Sequence, residues 1–262
     1  MENGDVAQLA RMPLVGYKNA WQYIQTLDYG DNEGILYLEQ QLYNLLQQNP
    51  EEGNLLVLLL HEQIMNQRGQ RARSIAYKIW DNGGELASEI EKMYIDDLIN
   101  LGLSDMAGAA LAPYIGDLDN SATEYGDLIV KYAIFVGNMN LLDSVLAYMS
   151  DDRKHNVLRD WISVNEELHV SSHIAPIMMK IINNISENML GFSFNVYTDR
   201  EVPDIEFVFY VDDSIKDYNN LRETMYLQIS TYCAAHKITD LRNLNVLIQP
   251  LKKHPRQDLW LA

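Results

Sequence analysis

The chain has 262 residues, 47% of them apolar, enough to bury one large core or two ordinary ones. Its 37 Asp and Glu against 20 Lys and Arg leave a net charge of −17, which argues against nucleic-acid phosphates and anionic membrane surfaces as partners. The single cysteine, Cys233, excludes an internal disulfide and suits a reducing, cytoplasmic setting.

The acid excess is unevenly placed. Residues 1–190 hold 27 of the 37 acids and 12 of the 20 bases, whereas residues 191–262 are close to balanced. The segment ahead of Gly16 carries early acids and no apolar stretch of the kind a secretory signal needs. The longest aliphatic run, Leu55 to Leu60, is far too short to span a bilayer.

In chain order, periodicity and turn chemistry predict helices over 16–28 and 35–48, 54–67 and 70–81, 86–101 and 104–115, then 121–136 and 139–150. These are four hairpins in one register. Asn32, Asn66, Asn100 and Phe135 mark their turns; Leu38, Ala72, Met106 and Leu141 follow six residues later, then Leu42, Ala76, Ala110 and Val145. A spacing of 34 or 35 residues is that of an α-solenoid, in which each hairpin buries its apolar face only against its neighbours. Between hairpins lie Asn49-Pro50-Glu51-Glu52-Gly53, Asp81-Asn82-Gly83-Gly84 and Gly116-Asp117-Leu118-Asp119-Asn120, which supply helix stops and an acid near the next helix start. The run Leu55 to Leu60 is apolar all round, so its helix needs cover on both sides.

Over residues 16–150 the repeat resembles the tetratricopeptide-like class: the period agrees, and Ala72 and Ala76, with Leu56 and Leu59, sit near the expected small and bulky positions. The tryptophan, first-helix glycine and closing proline of that pattern are mostly missing. What the resemblance implies is a concave surface built from the first helices of the hairpins.

A fifth, less regular hairpin is expected at 153–164 and 172–188. Beyond it the period changes to two: Phe192, Phe194 and Val196, then Ile205, Phe207, Phe209 and Val211, alternate with more polar residues on either side of 198–203, which reads as a β-hairpin. An amphipathic helix over 214–236 and a third strand over 245–249 follow. The expected class is therefore α+β: a helical-repeat domain at 1–170, then an α-β-β-α-β unit at 171–262 with ferredoxin-like topology lacking its first strand.

Several clusters invite a chemical reading. Glu166, His169 and His173 have metal-ligand spacing, but Ser171-Ser172 interrupts a helix between them and a capping turn is the simpler account. The acid-rich turns at 28–34 and 117–121 lack the distant bidentate Glu of a calcium loop and suit helix capping. Asp199, Glu206, Asp212 and Asp213 gather around the strand hairpin, as carboxylates holding Mg²⁺ for phosphoryl or nucleotidyl transfer would, yet no Gly-rich phosphate loop accompanies them. Cys233 and His236 share a helix face without an electropositive setting to ionise the thiol. For a partner-binding groove, Tyr23, His61, Met65, Tyr94 and Tyr125 are the candidates, chosen because they lie on first helices.

The resulting expectation is a non-enzymatic adaptor or chaperone without a cofactor, binding another protein that offers a basic or amphipathic segment. A structural subunit of a larger complex and a metal-dependent phosphoryl-transfer enzyme are the alternatives.

Overall fold

The computed structural model describes residues 13–28, 31–150, 152–197, 204–212, 218–238 and 244–251. Among these lie eleven helices and one three-stranded sheet, an α+β chain that is helical nearly throughout and has its strands at the C-terminal end. The helices are α1 (Tyr17–Ile24), α2 (Asn32–Gln48), α3 (Gly53–Met65), α4 (Gly69–Asn82), α5 (Ser88–Asn100), α6 (Ser104–Ile115), α7 (Leu118–Val136), α8 (Met139–Leu146), α9 (Arg153–Glu167), α10 (Ser171–Ile185) and α11 (Tyr218–Ala235). The strands are β1 (Met189–Tyr197), β2 (Asp204–Val211) and β3 (Leu244–Pro250). No helix among the described residues is long and apolar enough to cross a membrane.

The chain divides into two compact units, one of residues up to Asp97 together with Leu251, the other from Leu98 to Pro250. The expected boundary at residue 170 falls inside the second of these.

In the first unit α3 is the central element. Leu55 to Leu60 are all buried, and α1, α2 and α4 pack around them, so a helix apolar on every side is covered on every side. Ala72 and Ala76 on α4 are fully buried, as close helix crossing demands of small residues. Turn acids cap the helices here: Asp31 Oδ1 accepts from the Gly34 N–H at 2.9 Å, and Glu52 Oε2 from the Leu55 N–H at 3.2 Å.

After α3, α5, α7 and α9 the chain makes the same turn. Gln67, Gly102, Gly137 and His169 take left-handed φ values of 58, 73, 68 and 56°. The N–H of the next residue then reaches back to the helix, Arg68 to Gln63 O at 2.8 Å, Leu103 to Leu98 O at 2.9 Å, Asn138 to Ala133 O at 2.8 Å and Val170 to Asn165 O at 2.9 Å. This is the Schellman closure, which satisfies carbonyls that a helix end leaves open. The following helix begins one residue later, at Gly69, Ser104, Met139 and Ser171. Ser171 and Ser172, expected to break a helix, open α10 instead. The first hairpin departs from the pattern, since Asn32 is already the first residue of α2.

In the second unit β1 pairs antiparallel with β2, Phe192 opposite Phe209 and Phe194 opposite Phe207. β3 lies directly beside β2 and parallel to it. The alternation read from sequence places Phe192, Phe207 and Phe209 on one face, where Phe135 of α7 meets Phe192 at 5.1 Å and Trp161 of α9 meets Phe207 at 6.0 Å between ring centres. All five rings are fully buried. Asn100, at the end of α5, joins this core by a polar link: its Oδ1 accepts from Lys131 Nζ at 3.0 Å and from the Phe192 N–H at 3.1 Å.

The turns differ in how well their residue suits a left-handed backbone. A Cβ on Gly137 would stand 2.7 Å from Ala175 Cα on α10, so Gly137→Ala should lose about 2 kcal/mol or more to strain and overlap. His169 is exposed and bears the left-handed strain without need, so His169→Gly should gain roughly 0.5 kcal/mol. Denaturant unfolding of both variants checks the opposite signs.

Candidate functional site

The five residues picked for a partner groove all lie inside the protein, from 2% exposed for Tyr23 to 8% for His61. Tyr23 sits edge-on to Tyr37 at 5.4 Å, and burial, then the charge of Asp31, raises its pKa. His61 Nδ1 lies 2.9 Å from Asp97 Oδ1, an enclosed pair. Met65 closes α3 and is 3% exposed. The Tyr94 hydroxyl donates to the Ala76 carbonyl at 3.0 Å, and burial, then Asp81, holds it well above the ordinary tyrosine range. Tyr125 stacks on Tyr114 at 3.6 Å. These side chains are buried in the core, and the cause is simple: one apolar stripe serves a groove and a core equally well.

The metal candidates do not converge. Glu166 and His169 are exposed, and His169 is held in the closing turn of α9, whereas His173 points its Nδ1 to the Tyr232 hydroxyl at 3.1 Å. Among the described residues no three His, Cys, Asp or Glu side chains are grouped to hold a metal ion. Of the hairpin carboxylates, Asp199 and Asp213 lie outside the described residues. Glu206 Oε2 accepts from Asn195 Nδ2 at 2.9 Å and from the Tyr197 hydroxyl at 3.2 Å. The Asp212 N–H donates to the Asn188 carbonyl at 2.9 Å. Burial pushes the Cys233 thiol up, away from the reactive thiolate.

A polar cluster that periodicity did not reveal lies in the first unit. Glu62 of α3 is fully buried, with the side-chain amides of Gln63 and Asn66 donating to it. Gln63 Nε2 also donates to Glu39 Oε1 of α2 at 3.2 Å, and Arg68 Nη1 pairs with the same oxygen at 2.5 Å. Arg71 stands 3.7 Å from Glu39 and lies over the Tyr43 ring at 5.5 Å. Burial, then the Glu39 charge, pushes the Glu62 carboxyl up to about 7, against the lowering pull of its amide donors and Arg68. Such a carboxyl can exchange a proton near neutrality, but it is sealed from any substrate. Its visible role is to tie α2 to α3 and to the turn that follows. The sequence signal was there, Glu62-Gln63 in the middle of an apolar helix, and polar residues in such a setting call for partners.

A pocket of about 140 Å³ in the same unit is lined by Glu51, Gly53, Leu56, Ile79, Asn82, Gly84 and Leu86. It is small beside the pockets that enclose cofactors. Comparison with protein-family models, with curated proteins and with solved structures gives no match for the chain.

The outer surface of α6, α7 and α8 has a different character. From Leu98 to Ser150 the chain carries six acids, Asp105, Asp117, Asp119, Glu124, Asp127 and Asp143, and all six are exposed. The one cation of that stretch, Lys131, is buried. Asp119, Thr123 and Asp127 follow one another at four-residue intervals along α7, with Glu124 beside them.

The Glu62 site has a measurable consequence. Its folded value near 7 lies above the ordinary 4.5, so between those limits the folded state keeps a proton that the unfolded chain releases. Stability should therefore rise as pH falls from 8 to 5, by on the order of 3 kcal/mol. Glu62→Gln should remove most of that slope, read by denaturant unfolding across the same range.

Proposed function

We propose that the chain is a non-enzymatic, cytoplasmic interaction protein: an acidic α-solenoid of helical hairpins, ended by an α-β-β-α-β unit of ferredoxin-like topology without the first strand, that binds a basic or amphipathic segment of another protein. The carboxylate surface of α6 to α8 carries the reading. Six exposed acids, with the one cation of the same stretch buried, set up a negative field that attracts and orients a cationic partner. Like charges kept together cost the isolated fold some stability, a cost that a cationic partner relieves.

The repeated turn supports the same reading. Hairpins that close with one geometry at 67, 102 and 137 are what a helical repeat would show, and helical repeats offer extended surfaces suited to macromolecules. With Tyr23, His61, Met65, Tyr94 and Tyr125 in the interior, the contact falls to the charged outer residues.

The test is capture from the native source at low salt with the full chain and with the variant Asp119→Lys, Glu124→Lys, Asp127→Lys. A stoichiometric protein with a basic segment should be retained by the first, released by salt, and reduced about tenfold or more on the second. Identical recovery on both chains would refute the acidic surface as the contact.

A further inference from the structure

Sequence spacing put His173 with Glu166 and His169; the fold puts it beside His236, on α10 and just past α11 respectively. The two imidazole centres are 5.4 Å apart with planes at 59°. Tyr232 orients both rings. Its hydroxyl lies 3.1 Å from His173 Nδ1, and its carbonyl accepts from His236 Nδ1 at 2.9 Å. Its ring also carries His236 stacked at 4.1 Å. Metal-binding histidines are commonly held this way, one ring nitrogen on an oxygen and the other left for the ion.

We propose that His173 and His236 form a two-imidazole site for a divalent late transition metal ion such as zinc, each through Nε2, with water in the remaining positions. The spacing fits. With a ring nitrogen about 1.1 Å from the ring centre and zinc about 2.0 Å beyond it, two imidazoles on one tetrahedral ion have centres about 5.1 Å apart. No third His, Cys, Asp or Glu among the described residues joins them, so the site is of the open, exchangeable kind rather than a closed structural one. Lys180, like Lys237 a cation near the pair, is placed over the Tyr232 ring at 5.6 Å. An ion here would tie α11 to α10. That matters because Met225 is the one buried residue among those described in α11.

Zinc chloride titrated calorimetrically into the full chain, free of any histidine tag, tests the site. One equivalent should bind, and His173→Ala and His236→Phe should each weaken binding about tenfold or more, while His169→Ala leaves it unchanged. Phenylalanine at 236 keeps the stack on Tyr232 but has no nitrogen to coordinate, so a purely structural role for His236 would leave zinc affinity as it was. Absence of saturable binding, or binding that survives either the 173 or the 236 substitution, overturns the assignment.

Discussion

A single backbone constraint recurs through the helical part: the residue that ends the first helix of a hairpin takes a left-handed conformation. That one residue lets the next N–H return to a carbonyl five residues back, which closes the helix and aims the chain for the second helix one residue later. The constraint is met by glycine at 102 and 137, where it costs nothing, and by Gln67 and His169, where the side chain adds strain. Gln67 recovers something through its Nε2, which donates to the Leu251 carbonyl at 2.8 Å. The 35-residue interval between 67, 102 and 137 is thus the spacing of a turn, and the apolar registers on either side follow from it.

Burial decides what the polar residues do. In the first unit, Glu62 is removed from water without a cation of its own, and the amides of Gln63 and Asn66 replace the solvent. In the second, Asn100 gives one oxygen to two donors and so links the end of α5 to α7 and β1. Both arrangements hold elements together from inside. The acids of α6 to α8 lie exposed on the outside, and this division between enclosed and exposed charge is what the proposed function rests on.

Much of the architecture was legible in the chain itself. Helix periodicity located the hairpins to within a few residues, and the alternation of Phe192, Phe207 and Phe209 gave the strand pairing, because side-chain period is a direct consequence of backbone geometry. The sites were harder to read. Tyr23, His61, Met65, Tyr94 and Tyr125 sit where a groove would place them and also where a core would, and only neighbouring helices distinguish the two. His173 looked toward residues four and seven positions earlier, while its structural neighbour His236 is on another helix.

The sequence by itself determined the helical hairpins, the change to strands after residue 188 and the place of the excess negative charge, since these depend on local periodicity, turn chemistry and composition. Tertiary structure alone decided that Glu62 shares its surroundings with Glu39, that β3 lies parallel beside β2, and that His173 meets His236. Such pairings join residues distant along the chain, and no local period encodes them; they arise when packing against a common core brings separate elements within reach.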